Sequence, residues 1–286
     1  MKHSILIMSF IAAMFSACST DVNDEFTSTN DNVPQPEQVT LSFSPYSMEN
    51  ATRASAVSAF ATHLDVWISD GTTTTDIHQS TSDATFGTVS LTLDKTKTYT
   101  LYAIAHNCTS AATLTGNIVS FPDNKVTQSF FYKTEFTPAE TTSLSCVMNR
   151  IVGQFRFEIA DAVDDDCTQM KFTVYQTGTT FNVSTEESGS PIDKVTHYTS
   201  FTKNQTDGSA NFTVTILPDD QTDTSYFTIK VEAMKANNDV IQERTFTDVP
   251  IKASYKTTYH GTFFIDEAVT STFTVNDWSS FDTVEY

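Results

Sequence analysis

Apolar and polar residues alternate over short stretches along most of this chain. VTLSFSP (39–45) sets Val39, Leu41 and Phe43 on one side. HLDVWIS (63–69) does the same with Leu64, Val66 and Ile68, and TVSLTLD (88–94) with Val89, Leu91 and Leu93. YTLYAIA (99–105) follows a DKTKT turn. A period of two is the mark of a half-buried strand, because successive side chains leave opposite faces. Only residues 55–61 offer a short helical turn.

The second half returns to the same order. GQFRFEIAD (153–161) alternates Phe155, Phe157 and Ile159. MKFTVYQTGTT (170–180) resembles HLDVWISDGTT, ANFTVTILP (210–218) resembles TVSLTLD, and YFTIKVEA (226–233) resembles YTLYAIA. Further strands are expected within 239–249, 254–266 and 271–278. This internal duplication predicts an all-β chain of two tandem β-sandwiches, residues 38–150 and 151–286, joined near Arg150 to Gly153.

Composition narrows the partners. The chain has 286 residues, 35 acidic against 16 basic, and a net charge of −19. Such a surface repels nucleic-acid phosphates and anionic membrane faces. Aromatic and β-branched residues are abundant enough to supply a core, which argues against global disorder.

The first residues read as a secretory leader. Lys2 and His3 precede an apolar run from Ile5 to Phe15, broken only by Ser9, and Ser16 and Ala17 are small. A spanning helix needs about 20 apolar residues, so this run is too short to stay as a membrane anchor. Phe15-Ser16-Ala17-Cys18 resembles a lipobox, with Phe15 where an aliphatic residue is usual. Residues 1–17 are then a signal peptide and Cys18 a lipidation site that carries acyl chains such as palmitate. Each buried methylene contributes about 0.8 kcal/mol and one chain anchors only marginally, so a multiply acylated cysteine is needed for lasting attachment. Residues 18–37, with Asp21, Asp24, Glu25, Pro34 and Pro36, read as an acidic flexible tether. The acidic residues just behind Cys18 resemble the signal that sends some Gram-negative lipoproteins to the outer face of the outer membrane, which implies localisation there with the fold outside the cell; the alternative is a merely solvated tether.

Local chemistry is sparse. The sequence has no glycine-rich phosphate loop, no G-x-S-x-G elbow, no H-E-x-x-H and no C-x-x-C. Neither an enzyme, a metal nor a cofactor is expected. Asp161, Asp164, Asp165 and Asp166 suit calcium as a residue type but lack the spacing of a calcium loop, and read as a solvated acidic loop. Trp67 and Trp278 serve either the core or, if exposed, a sugar-stacking platform, which makes a polysaccharide the alternative ligand. Cys108 and Cys146 fall in one expected sandwich and either pair or stay as small buried thiols.

Taken in order, a lipobox, an acidic spacer, two tandem β-domains and the ending TFTVNDWSSFD resemble the fimbrillin superfamily, and within it the FimB-type fimbrillin-associated anchor proteins. TYTLYAIAHN (98–107) and LSCVMNRIVGQFRFEI (144–159) carry the likeness best. The resemblance implies transthyretin-like or Ig-like sandwiches, and a non-enzymatic lipoprotein at the base of a fimbrium that holds a pilin subunit by β-strand complementation. It points to residues 271–278 as the interaction strand, with Phe273, Val275 and Trp278 as pocket-filling side chains. The competing expectation is that this segment is only the last strand of the second sandwich. It also implies that cleavage after Arg53 would remove the first strand and turn the chain into a shaft or tip fimbrillin, whereas an intact Arg53 keeps it an anchor.

Overall fold

The computed structural model describes residues 36–45, 56–200, 210–265 and 272–278. The first half holds β1 (Pro36–Pro45), β2 (His63–Ser69), β3 (Thr74–Ser80), β4 (Thr88–Asp94), β5 (Tyr99–His106), β6 (Thr113–Thr115), β7 (Ile118–Ser120), β8 (Ser129–Phe136) and β9 (Ser143–Arg150). The second holds β10 (Gly153–Ile159), β11 (Gln169–Thr177), β12 (Thr180–Asn182), β13 (Glu187–Ser188), β14 (Ile192–Ser200), β15 (Ala210–Ile216), β16 (Ser225–Met234), β17 (Val240–Ile251), β18 (Tyr255–Gly261) and β19 (Thr272–Asp277). A single 3-10 turn, Val57–Ala59, takes the place of the short helical stretch.

The duplication is topological as well as sequential. In the first lobe β4-β1-β9 covers β3-β2-β5-β8, the two joined at a corner where β8 meets the end of β9. In the second lobe β15-β10-β18 covers β14-β11-β16-β17. Each lobe also places its first strand parallel to its last, β1 with β9 and β10 with β18, inside an otherwise antiparallel pattern. The three segment pairs that resemble each other in sequence are β2 with β11, β4 with β15 and β5 with β16, and each pair holds the same place in its lobe. One strand breaks the symmetry: β19 lies along the outer edge of β18, where the first lobe, among the described residues, has only the short contact of β8 with the end of β9.

Alternation decides what is buried. Val39, Leu41, Phe43, Leu64, Val66 and Ile68 meet in the core of the first lobe. Phe155, Phe157, Ile159, Phe172 and Phe212 build that of the second. Trp67, out of phase with its neighbours on β2, enters a third cluster with Val119, Phe121, Ile151, Val152, Phe181 and Trp278. β2 is therefore covered on both faces, which is why it reads as a nearly continuous apolar run. This third cluster ties the lobes together. β7 pairs with β12 across them, Val119 opposite Phe181, and all described residues fall in one compact unit. At the join, a side chain on Gly153 would place its Cβ 2.5 Å from the Lys252 carbonyl oxygen, so the close approach of β10 to the turn between β17 and β18 requires glycine.

Two boundaries differ from expectation. Pro36 and Glu37 belong to β1 rather than the tether, because they pair with Asp94 and Leu93 of β4. The strand expected over 254–266 stops at Gly261. There Asp161 turns inward and accepts the backbone N–H groups of Phe263, Phe264 and Ile265 at 2.7–2.8 Å. A carboxylate that takes three amide donors satisfies groups a ladder would otherwise need, so the backbone leaves the sheet.

Candidate strand-exchange site

Both ends of the described chain are strands, and they are held in opposite ways. β1 is central. Residues 36–42 pair antiparallel with 94–88 of β4, and residues 40–45 pair parallel with 143–148 of β9. Its Val39 and Leu41 are 0% exposed and Phe43 4%. Burying such side chains contributes about 1.5–3 kcal/mol each, so the three together rival the 5–15 kcal/mol that holds a typical domain folded. β1 cannot leave unless another strand replaces it.

β19 is peripheral. Residues 272–277 run antiparallel to 260–255 of β18, with Phe273 opposite Tyr259 and Val275 opposite Thr257. Thr274, Val275, Asn276 and Asp277 are all exposed. Val275 shares the core-side face with buried Thr257, yet it is 44% exposed, because the facing sheet ends at β17 and nothing described covers β19. Main-chain pairing is most of what holds these four residues.

The strand ends in one firm anchor. Trp278 is 4% exposed and belongs to the cluster between the lobes. The Arg150 guanidinium carbon stands 3.9 Å from the Trp278 ring centroid and 5.1 Å from that of Phe130. Arg150 Nη1 donates to the Trp278 carbonyl oxygen at 2.9 Å. The Trp278 N–H donates to the Ser254 carbonyl at 2.8 Å, and Ser254 Oγ donates to the Arg150 carbonyl at 3.2 Å. The buried Trp278 indole N–H has no hydrogen-bond partner among the described residues. Arg150 was legible only as the end of β9. No local signal marks it as the residue over which the last strand closes, since the contact joins positions far apart in the chain.

The other residues singled out from the sequence separate cleanly here. Cys18 and Arg53 lie outside the described residues, as does the side chain of Phe273. Trp67 is 1% exposed, so neither tryptophan forms a sugar platform; their large apolar rings are needed in the cluster between the lobes. Cys108 and Cys146 are both free and sit in different clusters, and burial pushes the Cys146 thiol up to about 12. Asp161 is engaged by backbone amides rather than grouped with Asp164–Asp166. No described His, Cys, Asp and Glu side chains gather in threes to hold a metal.

One buried polar network has the parts of a catalytic dyad. Asp65 accepts from His106 Nε2, His78 Nδ1 and the Ala112 N–H, each at 2.7 Å. The Cys108 N–H donates to His106 Nδ1 at 3.1 Å, which leaves the proton on Nε2. With both ring nitrogens committed and Asp65 and His106 fully buried, the network fastens β2, β3 and β5 to the loop after β5.

No family model matches the chain, nor does the sequence of any curated protein. Solved structures do resemble it. A candidate adhesin from Bacteroides thetaiotaomicron matches with a TM-score of 0.52 at 13% identity, covering 87% of this chain and 99% of its own. A candidate polysaccharide-binding protein from the same species, of a group named DUF1812, matches with a TM-score of 0.50 at 12% identity, covering 84% and 96%. The fimbrial anchor protein Mfa2 from Porphyromonas gingivalis gives 0.44 at 12% identity, covering 86% and 99%. The last score carries no weight here. The first two, at such low identity, show a shared two-lobed β fold that this chain spans almost end to end.

Proposed function

We propose that this chain is a non-enzymatic lipoprotein of the outer membrane, attached through Cys18, that forms the base of a surface fimbria by β-strand complementation with a pilin subunit. Residues 36–150 and 151–286 act as its two sandwich domains. The observation that carries the reading is the contrast between the two terminal strands. β1 fills its lobe with Val39, Leu41 and Phe43, whereas Thr274 to Asp277 of β19 are exposed and Trp278 is buried, which supports β19 as the strand that exchanges partners. Strand addition draws affinity from main-chain hydrogen bonds, each about 0.5–1.5 kcal/mol net, and specificity from alternate side chains. In β19 those side chains are Phe273 and Val275. The fold shared with a candidate adhesin supports a surface role.

A second reading rests on β1. It is amino-terminal to Arg53 and central to its sheet, so cleavage after Arg53 would cut the covalent tie to a strand whose loss opens a groove between β4 and β9. That chain would be a shaft or tip subunit. The mass and first residue of the protein recovered from cells separate the two. The anchor begins at an acylated Cys18, and Cys18→Ser frees it from washed envelopes. A species that begins at Ala54, or a Cys18→Ser chain that still sediments with envelopes after high-salt washing, refutes the anchor.

A further inference from the structure

The outer edge of β18 is a binding site with a resident occupant. β19 covers it by pairing residues 272–277 with 260–255, but Thr274, Val275, Asn276 and Asp277 remain exposed. Of these four, Asp277 hydrogen-bonds the Tyr255 side chain, and the contact otherwise reads little of their side chains. What it does read lies at one end. Trp278 is enclosed against Arg150, with the guanidinium over its ring and Nη1 on its carbonyl oxygen, and the Ser254 carbonyl takes its N–H. Arg150, Ser254, Phe130 and the neighbouring Ile151 and Val152 make a socket between the lobes. That socket is imperfect for tryptophan, because the indole N–H buried in it is unpaired among the described residues. The topology adds a second point. In the first lobe the corresponding edge, that of β9, meets only β8, and only at Asn149 and Arg150, so among the described residues most of that edge closes without a strand like β19.

We propose that the β18 edge and the Arg150 socket together bind an extended segment of another protein, one that carries an aromatic residue in the place of Trp278, and that β19 holds this site shut. An acceptor of this kind is distinct from donation of β19, and it stands whichever partner β19 itself meets. The resident strand defines the ligand: main-chain pairing over about six residues, tolerance of the side chains along it, and one flat ring at the end to stack under a guanidinium. It also explains why the site is closed. A tethered strand competes at an effective concentration on the order of millimolar, so an external segment gains entry only when the anchor lets go. Arg150 is the positioning residue of that latch.

The probe is the peptide STFTVNDW, residues 271–278, offered to the full chain and to its Trp278→Ala variant. The variant is expected to bind the peptide at least tenfold more tightly than the parent, with slowed amide exchange at residues 255–260. A peptide ending in alanine should lose most of that gain, and Trp278→Phe should return capture to the parental level. Unchanged exchange in the β10–β15 ladder shows that the fold is intact; if Trp278→Ala fails that check, Val275→Pro, which weakens the β19 ladder and leaves the Arg150 socket whole, is read in the same way. Equal capture by parent and variant, exchange that slows elsewhere but not at 255–260, or indifference to the terminal ring overturns the proposal. So does a variant that dimerises through its own β19 while the peptide stays free, because the occupant is then a second copy.

Discussion

At the scale of single residues, position in the alternation matters less than what closes over each side chain. Trp67, out of phase on β2, and Trp278, just past the end of β19, both enter the cluster between the lobes. Asp161 looks like one more member of an acidic loop until the chain brings Phe263, Phe264 and Ile265 to it. His197 gives the clearest pH dependence. It lies on β14 beside Val126, Val174, Val195 and Leu217, and burial, reinforced by the charge of Lys125, lowers its pKa to about 4. A histidine in the unfolded chain titrates near 6.5. Between those values the unfolded state binds the extra proton, so stability falls as pH drops from about 6.5 to about 4 and falls no further below that. The expected loss is up to about 3 kcal/mol, and His197→Asn should flatten it. Denaturant midpoints measured across that range check this; parallel curves for parent and variant would contradict it.

At the scale of elements, β1, β2, β4, β5, β10, β11, β15 and β16 were legible, because each carries three or more apolar residues in phase, and β17, β18 and β19 were expected in outline. β3, β6 to β9 and β12 to β14 were not. β3 carries only Ile77 among polar residues and is mostly exposed, so no periodic signal marks it. β6, β7, β12 and β13 are two or three residues long, too short for a period to show. They form one small sheet around the pairing of β7 with β12 across the lobes, which lies beyond local sequence. The candidate site was half legible. Residues 271–278 stand out as a strand, but their peripheral place and the Arg150 anchor arise from contacts between distant parts of the chain. The contrast between terminal strands is measurable. Leu41→Ala should cost about 2–5 kcal/mol, as a large-to-small change in a closed core does. Val275→Ala, at an exposed position, should stay within about 0.5 kcal/mol. Similar losses at the two positions, read by chemical denaturation, would mean that β19 is as deeply integrated as β1.

At the scale of the whole molecule, a duplicated sandwich with one unmatched strand divides the work. Among the described residues the first lobe has only the end of β8 at the edge that corresponds to that of β19, the cluster between the lobes holds the two together, and in the proposed function the unmatched strand pairs with a partner. A lipid at Cys18 and a spacer ahead of β1 place that assembly outside the cell in the proposed function. High negative charge suits such a place, since it opposes unspecific adhesion to anionic surfaces. The claim that ties these levels together is that a fimbria is held through residues 272–278. Its most direct test is the distribution of fimbriae between cells and medium when the chain lacks those residues but keeps Cys18. The account predicts that the truncated protein stays in the outer membrane while fimbriae are shed into the medium. Fimbriae that remain on the cells at normal length and number would contradict it.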